Sequence, residues 1–188
     1  VLLVASADAP YSDVKGLIAW AKAQDRPISF GTWGVGSTAH LFGEVLRREH
    51  GVNLSHVPYK GEVAALVDVI NKSLDVSFAS PVGAKPQIAA GKIKAIAMTG
   101  PRRSVAMPEL ATFAEQGAAG LELAVWVGVY APANTPRPIV MKLHAEIVKA
   151  LATPEIRERL VSVGAEVVGN LPDQFAAQIR SDLDRYIK

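Results

Sequence analysis

Residues 28–46, ISFGTWGVGSTAHLFGEVL, place a short β-like run, a loop rich in glycine and hydroxyl residues, and an amphipathic helix in direct succession. N–H groups in the first turn of a helix have no intrahelical partner, and the aligned peptide dipoles leave that end partly positive. Residues 31–40 therefore read as a loop that holds a carboxylate or phosphate. Gly31, Gly34 and Gly36 let backbone amides approach an anion closely, and Thr32, Ser37 and Thr38 add hydroxyls. The competing reading is structural, with Ser37 a helix cap and the glycines a turn.

The same strand-then-helix rhythm extends in both directions. Residues 1–5 read as a strand and 12–23 as a helix capped by Ser12, with Val14, Leu17, Ile18 and Ala21 on one face. After the anion loop, a helix over 37–50 gives way to strand 54–57, helix 62–70 and strand 75–78. Helix 82–90 stops at Gly91, ahead of strand 94–98. The repeated alternation predicts a parallel α/β sheet with right-handed crossovers.

The rhythm lapses in GPRRSVAMPEL (100–110), and a long apolar segment, 121–130, runs into the proline-rich APANTPRP (131–138). Beyond it come helix 139–152, a helix after Pro154, a short strand over 166–168 and a last helix opened by Pro172. A domain change is expected near 121–131, where helices take over.

Composition narrows the function. Hydrophobic residues make up 49% and charged residues 20% of the 188, with net charge +2, as expected for a folded globular chain. Lys and Arg are dispersed, which gives no electrostatic footprint for nucleic acid. No apolar run is long enough to span a bilayer. Zero cysteines exclude thiolate metal sites, thiol nucleophiles and disulfides. The chain starts at Val1 within a strand-like run and without a leader, so it reads as the middle of a longer product.

Five motifs in order, GTWGVGSTAHLFGE, HVPYKG, AAGKIKAIAMTGPRRS, VWVGVYAPANTP and LATPEIRERLVSVGAEVVGNLPDQF, resemble the Bug-type extracytoplasmic substrate-binding proteins of tripartite tricarboxylate transporters. The resemblance covers essentially the whole chain. It implies a type II periplasmic-binding-protein-like α/β fold of two lobes that closes on a small carboxylate, with no enzymatic activity and no cofactor or metal. Residues 1–5 would be one crossing strand, 6–125 the second lobe with the anion loop, and 126–188 the other crossing segment and the C-terminal part of the first lobe. Relatives begin with a strand and a PFxAGG-type loop that this sequence lacks, so the first lobe is expected to be incomplete, and the fragment to bind weakly and self-associate. A periplasmic location and a membrane permease as partner are further implications.

The resemblance places the ligand carboxylate against Thr32, Trp33, Gly34, Gly36, Ser37 and Thr38, with Tyr59 and Ser80 on neighbouring strand ends. Trp33 is either a wall of the ligand site or a partly exposed ring, and His40 fits a structural role. Lys60 fits either attraction of an anion or simple solvation. Around Ser80 many relatives carry an acid or amide after the phenylalanine; its absence here predicts a plain mono- or dicarboxylate rather than an amino acid. Trp126 fits packing at the lobe junction, and the prolines at 132, 136 and 138 would confine bending to the neighbourhood of Gly128.

Two other classes compete. GVGSTA (34–39) matches the loose dinucleotide fingerprint G-x-G-x-x-A, but that reading needs an acid near the end of the next strand, and residues 54–59 offer none. A ligand-sensing module for a signalling partner would carry the same binding lobe. For hydrolysis there is no G-x-S-x-G elbow, and His40, His50, His56 and His144 show no metal-ligand spacing.

Overall fold

In the computed structural model, which describes residues 1–186 except 105, 124, 163 and 164, β1 (Leu2–Ser6) is one of the inner strands of a five-stranded sheet. The remaining strands are β2 (Ile28–Thr32), β3 (Leu54–Pro58), β4 (Val76–Ala79) and β5 (Ile93–Met98), in the order β3-β2-β4-β1-β5. β2 runs parallel to β3 and β4, whereas β1 is antiparallel to both β4 and β5. The expected all-parallel sheet is thus a mixed one. The run LLVA is buried throughout and carries no sign of direction, because a strand covered on both faces reads as continuous apolar sequence in either orientation.

Alternation along β1 sorts the helices into two layers. Leu3 and Ala5 join a core with Val14, Leu17 and Ala21 of α1 (Val14–Lys22) and Ala39, Phe42 and Leu46 of α2 (Thr38–His50). Leu2 and Val4 face the other way, toward Ala65, Leu66 and Val69 of α3 (Glu62–Ile70) and Ala84 of α4 (Pro81–Ala89). This period of two is the strand repeat itself. Phe30 and Phe78 lie on the α1/α2 side, each about 1% exposed. Helix α1 starts one residue later than expected, with the Asp13 carboxylate rather than Ser12 accepting from the Gly16 N–H at 2.6 Å. Gly91, just past the cap of α4, has φ +65°, the left-handed geometry that ends a helix cleanly.

One anchor fixes the start of β4 against β2. The Asp75 carboxylate accepts two bonds from the Arg26 guanidinium, at 2.6 and 2.7 Å, and two from the Ser29 N–H and hydroxyl, both at 2.8 Å. Burial pushes this carboxyl up, but Arg26 and Ser29 outweigh it and hold it below the usual aspartate range.

The chain divides into two compact units, Val1–Trp126 and Val127–Lys188. The second contains α5 (Arg137–Leu151), α6 (Pro154–Ser162) and α7 (Pro172–Tyr186). The strand expected at Glu166–Val168 is not formed: these residues carry no regular secondary structure. The Phe175 ring lies over Gly128, where a Cβ would overlap it, and packs 5.6 Å from the Tyr130 ring. Among its described residues none of α5 or α6 is buried, and Val127, Val129 and Tyr130 are exposed.

Candidate functional site

Because β2, β3 and β4 are parallel, their C-terminal ends share one edge of the sheet. Thr32, Pro58 and Ala79 end there, and the chain continues into the loops that open α2, α3 and α4. In open α/β sheets this is the edge at which ligands bind.

The loop from Thr32 to Ser37 is braced from within. Thr32 is fully buried, and its hydroxyl lies 2.6 Å from His56 Nε2 and accepts from the Gly34 N–H at 3.2 Å. Ser37 donates its hydroxyl to the Gly34 carbonyl at 2.7 Å and accepts from the His40 N–H at 3.3 Å, so it caps α2 and closes the loop together. The Gly36 N–H donates to His40 Nδ1 at 3.1 Å, which requires that nitrogen to be unprotonated. Gly34 and Gly36 have φ of +131° and +76°, a geometry that side chains avoid. Trp33 is half-buried and packs against the α1/α2 core. In the first turn of α2 the N–H groups of Thr38 and Ala39 have no acceptor among the described residues; Thr38 is half-buried and Ala39 fully buried. The Thr32 and Ser37 hydroxyls are engaged within the loop and hold it in shape.

Tyr59 and Ser80 frame the rest of the edge. The Tyr59 N–H donates to the Thr32 carbonyl at 2.9 Å, tying the end of β3 to the loop. Its hydroxyl donates to Asp68 at 2.6 Å, and burial, then Asp68, pushes the phenol up to about 12. Ser80 caps α4, accepting from the Gly83 N–H at 3.2 Å. Both its N–H and its hydroxyl donate to the Glu62 carboxylate, each at 2.9 Å. Sequence reading missed His56 and Glu62, whose partners lie 24 and 18 residues away. The nearest available signal was position: His56 lies within β3, two residues before its end, and Glu62 is the first residue of α3. Glu62 also puts an acid beside Ser80, where none follows Phe78 in sequence.

Two cavities lie elsewhere. One, of ≈ 440 Å³, is lined by Val14, Ile18, Lys22 and Gln116; the other, of ≈ 230 Å³, by Tyr11, Trp20, Lys72 and Asp75 at the opposite edge of the sheet. Neither is lined by a residue of the loop. No cluster of metal-ligating side chains occurs among the described residues.

This arrangement has relatives. The family model described as "Tripartite tricarboxylate transporter family receptor" matches residues 1–187. The chain belongs to this family. The UPF0065 protein in the tcbD-tcbE intergenic region of Pseudomonas sp. (strain P51) is 34% identical over 188 residues, which is all of this chain and 56% of that protein. The chain thus spans about half the length of that curated relative. Among solved structures, the periplasmic binding protein BugD superposes with a TM-score of 0.88 at 34% identity, covering 98% of this chain and 62% of BugD. An R. palustris protein, Rpa4515, solved with adipate, superposes with a TM-score of 0.90 at 31% identity, covering 98% and 62%. The fold is that of periplasmic solute-binding proteins. The family is one of receptors, not enzymes, and the dinucleotide reading of GVGSTA finds no support in it.

Proposed function

We propose that this chain is the carboxylate-holding part of a periplasmic receptor that captures a small carboxylate and hands it to a tripartite-type membrane permease. The observation that carries the reading is the first turn of α2. Its Thr38 amide is unpaired on a half-buried residue, the helix dipole favours an anion there, and the loop ahead of it is already locked by its own hydrogen bonds. In this reading the ligand carboxylate rests against Gly34, Gly36 and Thr38, with Trp33 beside it. Thr32, Ser37, Tyr59 and Ser80 keep the edge in form. The adipate found with the Rpa4515 relative supports a carboxylate as the ligand class.

Capture would work by population shift. Residues 1–5 and 126–132 would link this lobe to a second one, and a ligand that touches both lobes only when they are closed would favour closure. Titration calorimetry of the full-length receptor with succinate, adipate, citrate, aspartate and glutamate tests the reading. Saturable binding that is lost when Gly36 is replaced by a bulky residue is expected. Absence of binding by every carboxylate would refute it.

A further inference from the structure

The edge that carries the unpaired α2 amides also carries a second helix start, and that one is already filled. Helix α4 opens at Ser80, and its cap N–H and hydroxyl both point to Glu62, the first residue of α3. The seat is shaped for that carboxylate, because a Cβ at Gly83 would overlap Glu62 Oε1. An intramolecular acid therefore stands where a free anion would otherwise sit on α4.

We propose that Glu62 determines ligand specificity: it admits at this end of the site a hydrogen-bond donor, an ammonium or hydroxyl, and rejects a second carboxylate. The inference rests on the carboxylate-receptor reading above and names the ligand's other end. Each Glu62 oxygen accepts one bond from Ser80 and retains acceptor capacity. A ligand ammonium or hydroxyl brings protons to those sites. A ligand carboxylate brings none and adds like-charge repulsion, the repulsive element on which discrimination depends. The favoured ligand thus bears one carboxylate for the α2 amides and a donor group for Glu62. The acid predicted to be missing after Phe78 is supplied from another helix, so an amino acid is not excluded by the sequence at 79–80.

The test is titration calorimetry of the full-length receptor against two end-group series, hexanoate, 6-hydroxyhexanoate, 6-aminohexanoate and adipate, and their four-carbon counterparts. Wild type is expected to bind the amino- and hydroxy-ended ligands about fivefold more tightly than the diacid, the scale of a partly exposed charge contact. Glu62→Gln should abolish most of that ratio, by gain for the diacid as well as loss for the amine. Gly83→Ala, which keeps the charge but displaces the Glu62 side chain, should do the same, and thermal melts of both variants report folding. A diacid bound as tightly as the amine by wild type overturns the proposal. So does an unchanged ratio in folded variants that merely bind every ligand more weakly, which would make Glu62 a brace. If wild type binds no carboxylate in either series, the receptor reading fails and this inference with it.

Discussion

The imidazoles of His40 and His56 stack face to face, with ring centroids 4.0 Å apart and planes 15° from parallel. Both hold the loop between β2 and α2, His40 through the Gly36 N–H and His56 through the Thr32 hydroxyl. Burial, then the neighbouring His40, lowers the His56 pKa from 6.5, while Glu44 opposes the shift. The unfolded chain thus binds a proton on His56 more readily than the folded one, so stability rises with pH across that interval. The contribution is complete above about pH 6.5 and falls as pH drops through that value toward the lower folded-state one. Thermal melts from pH 5 to 8 should show this slope, and His56→Gln should flatten it. An identical slope in the variant would contradict the assignment.

Ser37→Ala removes one hydroxyl that both caps α2 and ties off Gly34. A cost of about 1 kcal/mol is expected from the cap alone. Because the loop would also loosen, carboxylate affinity should fall by more than Ser37→Thr causes. Denaturant titration and calorimetry on the pair separate the two effects.

Gly43→Ala drives a methyl into the Phe30 ring, since a Cβ there overlaps three of its ring carbons. Helix propensity favours alanine, but overpacking a buried ring costs about 1–3 kcal/mol and should win. Phe30 also lies 5.0 Å from the His56 ring, so the loop should feel the change. A melting temperature equal to or above that of wild type would refute this.

Asp75→Ala strips four hydrogen bonds at once and leaves the Ser29 N–H without its acceptor. A loss of about 2–3 kcal/mol is expected. In wild type the folded-state pKa of this carboxyl lies below 3.8, so its contribution is present above that value and lost as pH falls through the lower one. Acid unfolding of the variant should therefore be less steep.

Self-association of the 188-residue chain follows from its second unit, where Val127 is 99% and Val129 73% exposed beside Tyr130 at 65%. Exposed large apolar side chains close together in sequence favour a partner over water. Sedimentation across a hundredfold concentration range should show a rising mean mass; a constant monomer mass would count against it.

Much of the fold was legible because strand and helix periodicities are local. The order of five strands and four intervening helices follows from runs such as residues 28–32 and 38–50. The direction of β1 was not legible, since hydrogen bonding to both β4 and β5 is decided by residues more than 70 positions away. At the site, glycines 34 and 36 and the Ser37 cap were visible as types that positive φ and helix starts require. The stacking of His40 on His56 and the seating of Glu62 on Ser80 were not, because each joins the start of a helix to a residue 16 or more positions away in sequence.

The central claim is that a carboxylate binds to the unpaired amides at the start of α2. Amide chemical shifts of the ¹⁵N-labelled full-length receptor, followed during titration with adipate and 6-aminohexanoate, test it most directly. The account predicts saturable shifts centred on Gly34 to Ala39 and extending to Ser80. Saturable shifts confined to the cavity around Tyr11 and Lys72, with residues 34–39 unmoved, would contradict it.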